Sequence, residues 1–136
     1  MNKIVDFNGI GYVAATFPVD ESAITYLKAN HLNAKTGNVD INGKNLAVTL
    51  GTDGKVKFGT GSEPLLGIIM TYEMDGFAAV QIKGGIDKVP TAAALTTGVK
   101  GLAVNAAGAI VAAEGGKEVT VAKPSAADSL YASIIL

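Results

Sequence analysis

Three times in this chain an apolar–polar alternation stops at a short segment ending in glycine and then resumes. The stretches are NLAVTLGTDGKVKFG around Gly54, LLGIIMTYEMDGFAAVQIKGG around Gly76 and GLAVNAAGAIVAA around Gly108. Side chains alternate across a strand, so a period-two run has one buried face, and the joining loop decides whether two such faces coincide. In the middle unit, a two-residue Asp75-Gly76 turn would set Met74 opposite Phe77 and Met70 opposite Gln81, splitting the apolar stripes between faces. A loop of Met74-Asp75-Gly76 instead pairs Glu73 with Phe77, Tyr72 with Ala78, Met70 with Val80 and Ile68 with Ile82. The sequence thus predicts that Ile68, Met70 and Tyr72 share a face with Val80 and Ile82. Gly76 then falls where the loop needs a left-handed residue, which glycine supplies at little steric cost.

The same reading applies to the other two units. A Thr52-Asp53-Gly54 loop pairs Leu50 with Val56 and Val48 with Phe58, leaving Lys55 and Lys57 on the other face. An Ala106-Ala107-Gly108 loop pairs Val104 with Ile110 and Leu102 with Ala112. Gly54, Gly76 and Gly108 are therefore expected at positive φ. Asn42-Gly43 predicts a shorter fourth hairpin, pairing Val39 with Leu46. EVTVA at 118–122 and the final LYASIIL read as further strands, the last one packed inside a sheet. The helical candidate is DESAITYLKAN at 20–30, with Asp20 as N-cap and Ile24 and Leu27 on one face, although Ile24–Leu27 also fits a strand. Residues 59–64 read as a loop, and 90–98 as a connection or one helical turn. The expected fold is all-β, a small antiparallel β-sandwich or β-barrel of consecutive hairpins in one domain, with at most one short helix.

Composition narrows the function. Hydrophobic residues make up 49% of the 136 and charged ones 17%, with a net charge of −1. All the basic residues are lysine, so there is no arginine fork for phosphate or guanine, and nucleic-acid binding is not expected. A surface this poor in charge points to a protein that covers part of itself with a partner. Without cysteine there are no disulfides or thiolate metal sites. The start, MNKIVDFNGIG, meets Asp6 before an apolar signal core can form, and no apolar run approaches a membrane span. Neither secretion by the general route nor membrane insertion is expected.

Signals for chemistry are weak. Gly9-Ile10-Gly11-Tyr12-Val13-Ala14 fits the dinucleotide pattern, but Pro18 would break the helix that pattern requires, and no βαβ unit follows. His31 is the only histidine, and no nucleophile or metal partner can be named for it from spacing; a local cap or exposed side chain is the expected role. Asp53, Glu63, Glu73, Asp75 and Asp87 sit at or near turns, where Asp53 and Asp75 are explained by turn preference. The G-x-S-x-G elbow is absent. No catalytic, cofactor-binding or metal-binding residue is expected.

One segment resembles a known type. Gly67-Ile68-Ile69, Glu73, Gly76, Ala78, Val80-Gln81-Ile82 and Gly84, followed by the Gly108 hairpin and an apolar terminal strand, are similar to the decoration, or cement, proteins of tailed-bacteriophage capsids. The likeness runs over roughly residues 44 to 136 and leaves the first forty unmatched. It implies a structural virion protein, made in the host cytoplasm, that binds the outside of an assembled capsid and braces it. The major capsid protein is then the partner, and a homo-oligomer, with a trimer favoured, is expected. Residues 1–17 carry Ile4, Phe7, Tyr12 and Phe17 without clean periodicity, which reads either as a first strand at a sheet edge or as an arm contacting capsid or neighbouring subunits. The alternative function is a ligand- or glycan-binding β module of a virion appendage. Such sites display exposed aromatics; the chain has no Trp, and Tyr72 is expected on the apolar face.

Overall fold

The computed structural model describes residues 12–73, 75–126 and 128–136. In chain order it contains β1 (Val13–Pro18), α1 (Glu21–Asn30), β2 (Ala47–Leu50), β3 (Val56–Lys57), β4 (Glu63–Pro64), β5 (Gly67–Tyr72), β6 (Phe77–Lys83), β7 (Gly85–Pro90), β8 (Gly98–Val104), β9 (Ile110–Ala112), β10 (Lys117–Lys123) and β11 (Tyr131–Ile135). The strands form two antiparallel sheets of hairpins, ordered β1-β6-β5-β2-β3 and β4-β8-β10-β11-β7, with β9 paired to β8. The fold is the expected all-β sandwich or barrel-like arrangement with one helix.

The three glycine loops share one geometry. The N–H groups of Gly51, Glu73 and Asn105 donate to the carbonyls of Lys55, Phe77 and Ala109 at 2.8, 2.7 and 3.0 Å. Gly54, Gly76 and Gly108 have φ of +80°, +90° and +78°. Asp53, Asp75 and Asn105 each accept from the backbone N–H two residues on, at 3.1, 3.2 and 2.9 Å. The carboxylates of Asp53 and Asp75 are turn-formers, as their positions implied. The predicted pairs Leu50–Val56, Leu102–Ala112 and Val104–Ile110 all form.

The middle hairpin departs from its expected register after one turn. Tyr72 pairs with Ala78, but a bulge at Met70 then brings Ile69, not Met70, opposite Val80, and Gln81, not Ile82, opposite Ile68. Tyr72 does pack on the same core as Ala78, Val80 and Ile82, whereas Ile68 belongs to the opposite face. The reason is that both faces of this sheet are covered, so Ile68 and Ile69, at 2% and 1% exposure, are buried in opposite directions. A strand buried on two sides carries no alternation, and register cannot be read from it.

The Asn42-Gly43 hairpin is also corrected. Lys44 N–H donates to the Ile41 carbonyl at 3.0 Å, closing a turn, but Val39 pairs with Leu32 rather than Leu46. The Leu46 carbonyl instead accepts from Ile69 N–H at 2.8 Å, because the chain swings at Asn45 (φ +52°) to enter β2 beside β5.

Two cores result. One lies between the sheets and includes Ala47, Ile68, Leu102, Val104, Ile110, Val121 and Ile134. The other lies under α1, where Ala23 and Leu27 meet Val48, Val56, Ile69, Ala78 and Val80. Asp20 caps α1 by accepting from Ser22 N–H at 3.1 Å, as the sequence indicated. Segment 91–97 is a connection without helix, tied by Ser125, whose Oγ accepts from Leu95 N–H at 2.8 Å and from the Thr91 hydroxyl at 3.1 Å. The final strand, β11, lies between β10 and β7, inside its sheet as expected.

Of residues 1–17, Val13–Pro18 settles as an edge strand against β6, and Phe17 packs on the helix-side core. Phe17 is partly buried there, against the core rather than within it. Ile4 and Phe7 lie outside the described residues, as do Gly9 and Gly11. The stretch following those glycines is strand, and α1 begins only at Glu21.

Candidate functional site

Two surfaces stand out among the described residues: a sheet edge, β1, that no further described strand covers, and a cleft. The edges formed by β3 and β4 are two residues long, and β7 is broken by a bulge. Strand β1 is different: six residues, VAATFP, without a charged side chain. Ala14 and Thr16 are exposed beside Val13 at 49% and Tyr12 at 62%. Soluble proteins usually blunt such an edge with lysine, a bulge or a cover. Here a bulge at Val13/Ala14 and the terminal Pro18 interrupt only its two ends.

The cleft, of ≈ 760 Å³, lies between the 43–46 turn and the β7–β11–β10 side of the second sheet; among its walls are His31, Lys44, Asp87, Lys88, Lys123 and Tyr131. Its geometry comes from two bulges that flank the same residue. On one side Ile86 pairs with Ile134 and Val89 with Ala132, so Asp87 and Lys88 together oppose Ser133. On the other, Val121 pairs with Ile134 and Lys123 with Ser133, leaving Ala122 as the extra residue. Bulges bend a strand and re-aim its side chains. Lys88 has φ +54°, a left-handed position that costs a side-chain-bearing residue about 1 kcal/mol. The facing wall braces it: the Asn45 amide donates to the carbonyls of Asp87 at 2.7 Å and Lys88 at 3.3 Å. Asn45 is itself at φ +52°.

Within the cleft, Asp87 Oδ1 accepts from the Ser133 hydroxyl and from Lys88 N–H. Ser133 is 1% exposed, and its hydroxyl donates a hydrogen bond to that carboxylate. His31 caps α1, its N–H donating to the Leu27 carbonyl at 2.8 Å. Burial, and then the charge of Lys44, hold its imidazole below the ordinary range. It therefore adds no charge to the cleft near neutral pH. Tyr131, 54% exposed, and Leu130, 37%, stand at this end of the sheet. Among the described residues no group of three His, Cys, Asp or Glu could hold a metal ion. No described helix is long and apolar enough to cross a membrane.

Of the carboxylates singled out from sequence, the structure brings only Asp87 to the cleft. Glu63 is absorbed by its own loop, where Oε1 accepts from Thr60 N–H at 2.9 Å and from the Thr60 hydroxyl at 2.8 Å. Those bonds hold its carboxyl down at about 2. Sequence reasoning missed Lys44, Lys88, Lys123 and Tyr131. A signal existed: in GIDKVP the buried Ile86 and Val89 are three apart, a break in period two that marks a bulge. Comparison with protein-family models, curated proteins and solved structures finds no match to this chain.

Proposed function

We propose that this chain is a structural virion protein of the capsid-decoration class. It attaches to the outer surface of an assembled capsid by adding a strand of the major capsid protein to the outer edge of β1, which no other described strand pairs. The observation that carries this reading is that edge: six uncharged residues, of which Val13, Ala14 and Thr16 are exposed, preceded by the exposed Tyr12. An edge of this kind is a template for main-chain pairing with another chain, which gives affinity without a catalytic or ligand pocket. The likeness of the Gly67–Gly84 stretch to decoration proteins names the partner and favours a trimeric assembly on the capsid exterior.

The test is co-sedimentation of purified protein with expanded, empty heads of the phage that encodes it. Placing charges on the edge with Ala14→Lys and Thr16→Lys, both exposed positions, is expected to abolish co-sedimentation while leaving the melting temperature within a few degrees. Undiminished binding by that variant would reject the edge as the attachment surface. The alternative, a ligand- or glycan-binding module, is favoured by one observation, the exposed ring of Tyr131 on the cleft wall.

A further inference from the structure

The two bulges around Ser133 deliver Lys88 and Lys123 to one cleft, and the opposite turn adds Lys44. Asp87 is the one acidic side chain among the described residues of its lining. Three lysines and a single carboxylate thus line the described cleft, and one oxygen of that carboxylate is already engaged by Ser133 and Lys88 N–H. A positive cleft is unexpected in a chain whose net charge is −1, and like charges gathered in a concavity repel unless an anion joins them. The backbone strain at Lys88, braced by the Asn45 amide, marks the same place, and strained residues braced by their surroundings concentrate at ligand sites.

We propose that this cleft binds a saccharide bearing carboxylate groups, such as an oligomer of uronic acids. Each feature of the wall matches one feature of that ligand class. Lys44, Lys88 and Lys123 pair with its carboxylates. Asp87 is an acceptor, which a simple anion cannot use but a sugar hydroxyl can. Tyr131 presents an exposed aromatic face for the apolar side of a pyranose ring. Lysine binds as a point charge on a flexible stem, suiting carboxylates spaced along an oligomer, and no arginine fork is present to select phosphate. The volume of ≈ 760 Å³ is that of a small-molecule site. This assignment is independent of the β1 edge, and its test involves no capsid.

The experiment is titration calorimetry of the purified protein with trigalacturonate, alongside neutral trigalactose, inorganic phosphate and a hexaglutamate peptide. Trigalacturonate is expected to bind best of the four. Lys44→Gln, Lys123→Gln and Tyr131→Ala, all at exposed positions, are each expected to weaken it about tenfold, the scale of one lost charge-assisted bond or stacking contact. Their melting temperatures should stay near that of the parent, which separates a lost contact from a lost fold. Equal binding of trigalactose would overturn the role of charge. Equal or tighter binding of phosphate or hexaglutamate would overturn the saccharide. No binding of trigalacturonate, or binding untouched by all three substitutions, would overturn the site itself.

Discussion

Glycines in this chain do two different jobs, and the difference is measurable. At Gly76 the backbone is left-handed and a Cβ would meet nothing within 4 Å. At Gly67 the φ is ordinary, but a Cβ would lie 2.1 Å from the Gln81 carbonyl oxygen. Asparagine tolerates the left-handed region while a β-branched residue does not. Gly76→Val is therefore expected to destabilise by ~1 kcal/mol or more and Gly76→Asn by much less. Gly67→Asn should be as damaging as Gly67→Ala, because either Cβ forces β5 off β6, at a cost of about 2 kcal/mol or more. Chemical denaturation of the four variants checks the contrast; a well-tolerated Gly67→Ala would contradict it. The turn role of Gly76 was legible because the loop ends two alternating runs. The role of Gly67 was not, since close approach of another strand is a property of the tertiary fold.

Glu63 sets a pH dependence at the same scale. Its folded pKa, about 2, is below the unfolded value of 4.5, chiefly through the N–H and hydroxyl of Thr60. A depressed carboxyl contributes stability above its unfolded pKa and loses it as pH falls through the folded one. The contribution is complete above about 4.5 and fades towards about 2. Glu63→Gln should remove this part of the acid limb, so that the stability gap between parent and variant narrows as pH falls from 4.5 to 2. Urea denaturation across that range would show it. A gap independent of pH would mean that the charged form is not what the loop holds.

Among the elements, α1 and the bulged strands are the informative cases. The helix was announced by its cap and by Leu27, which is fully buried against the first sheet. Leu27→Ala is expected to cost about 3 kcal/mol, a transfer term plus a cavity that two rigid layers cannot close. A loss below ~1 kcal/mol, read by denaturant midpoint, would mean that α1 does not cover the sheet. The bulges at Met70 and at Ala122 were not legible in advance, and the one at Asp87-Lys88 left only the three-residue spacing of Ile86 and Val89 as a trace. Alternation assigns each residue to one of two faces, and an extra residue is seen only once the partner strand is known. That one blind spot accounts for both misses, the register beyond Ile69 and the lysine cleft. The loop-proximal register came through because it depends only on the turn.

At the scale of the molecule, a helix and two sheets make layers whose two cores meet across β2 and β5, strands buried on both faces. The apolar fraction that seemed excessive for a free surface is largely spent on this double burial. Large apolar side chains remain exposed at the uncharged β1 edge (Tyr12, Val13), at the cleft end (Leu130, Tyr131), and at Leu32, Leu50, Phe77 and Val99. Fold class was legible from hairpin grammar alone; the β1 edge and the cleft were not, because exposure depends on which strands the topology places outermost. The central claim is that β1 is where another chain adds its strand. Amide hydrogen exchange over Val13–Pro18, compared between free and capsid-bound protein, tests it most directly. The predicted result is new protection of β1 amides on binding, with β7 and β11 unchanged. Capsid-bound protein whose β1 amides exchange as fast as in the free state would contradict it.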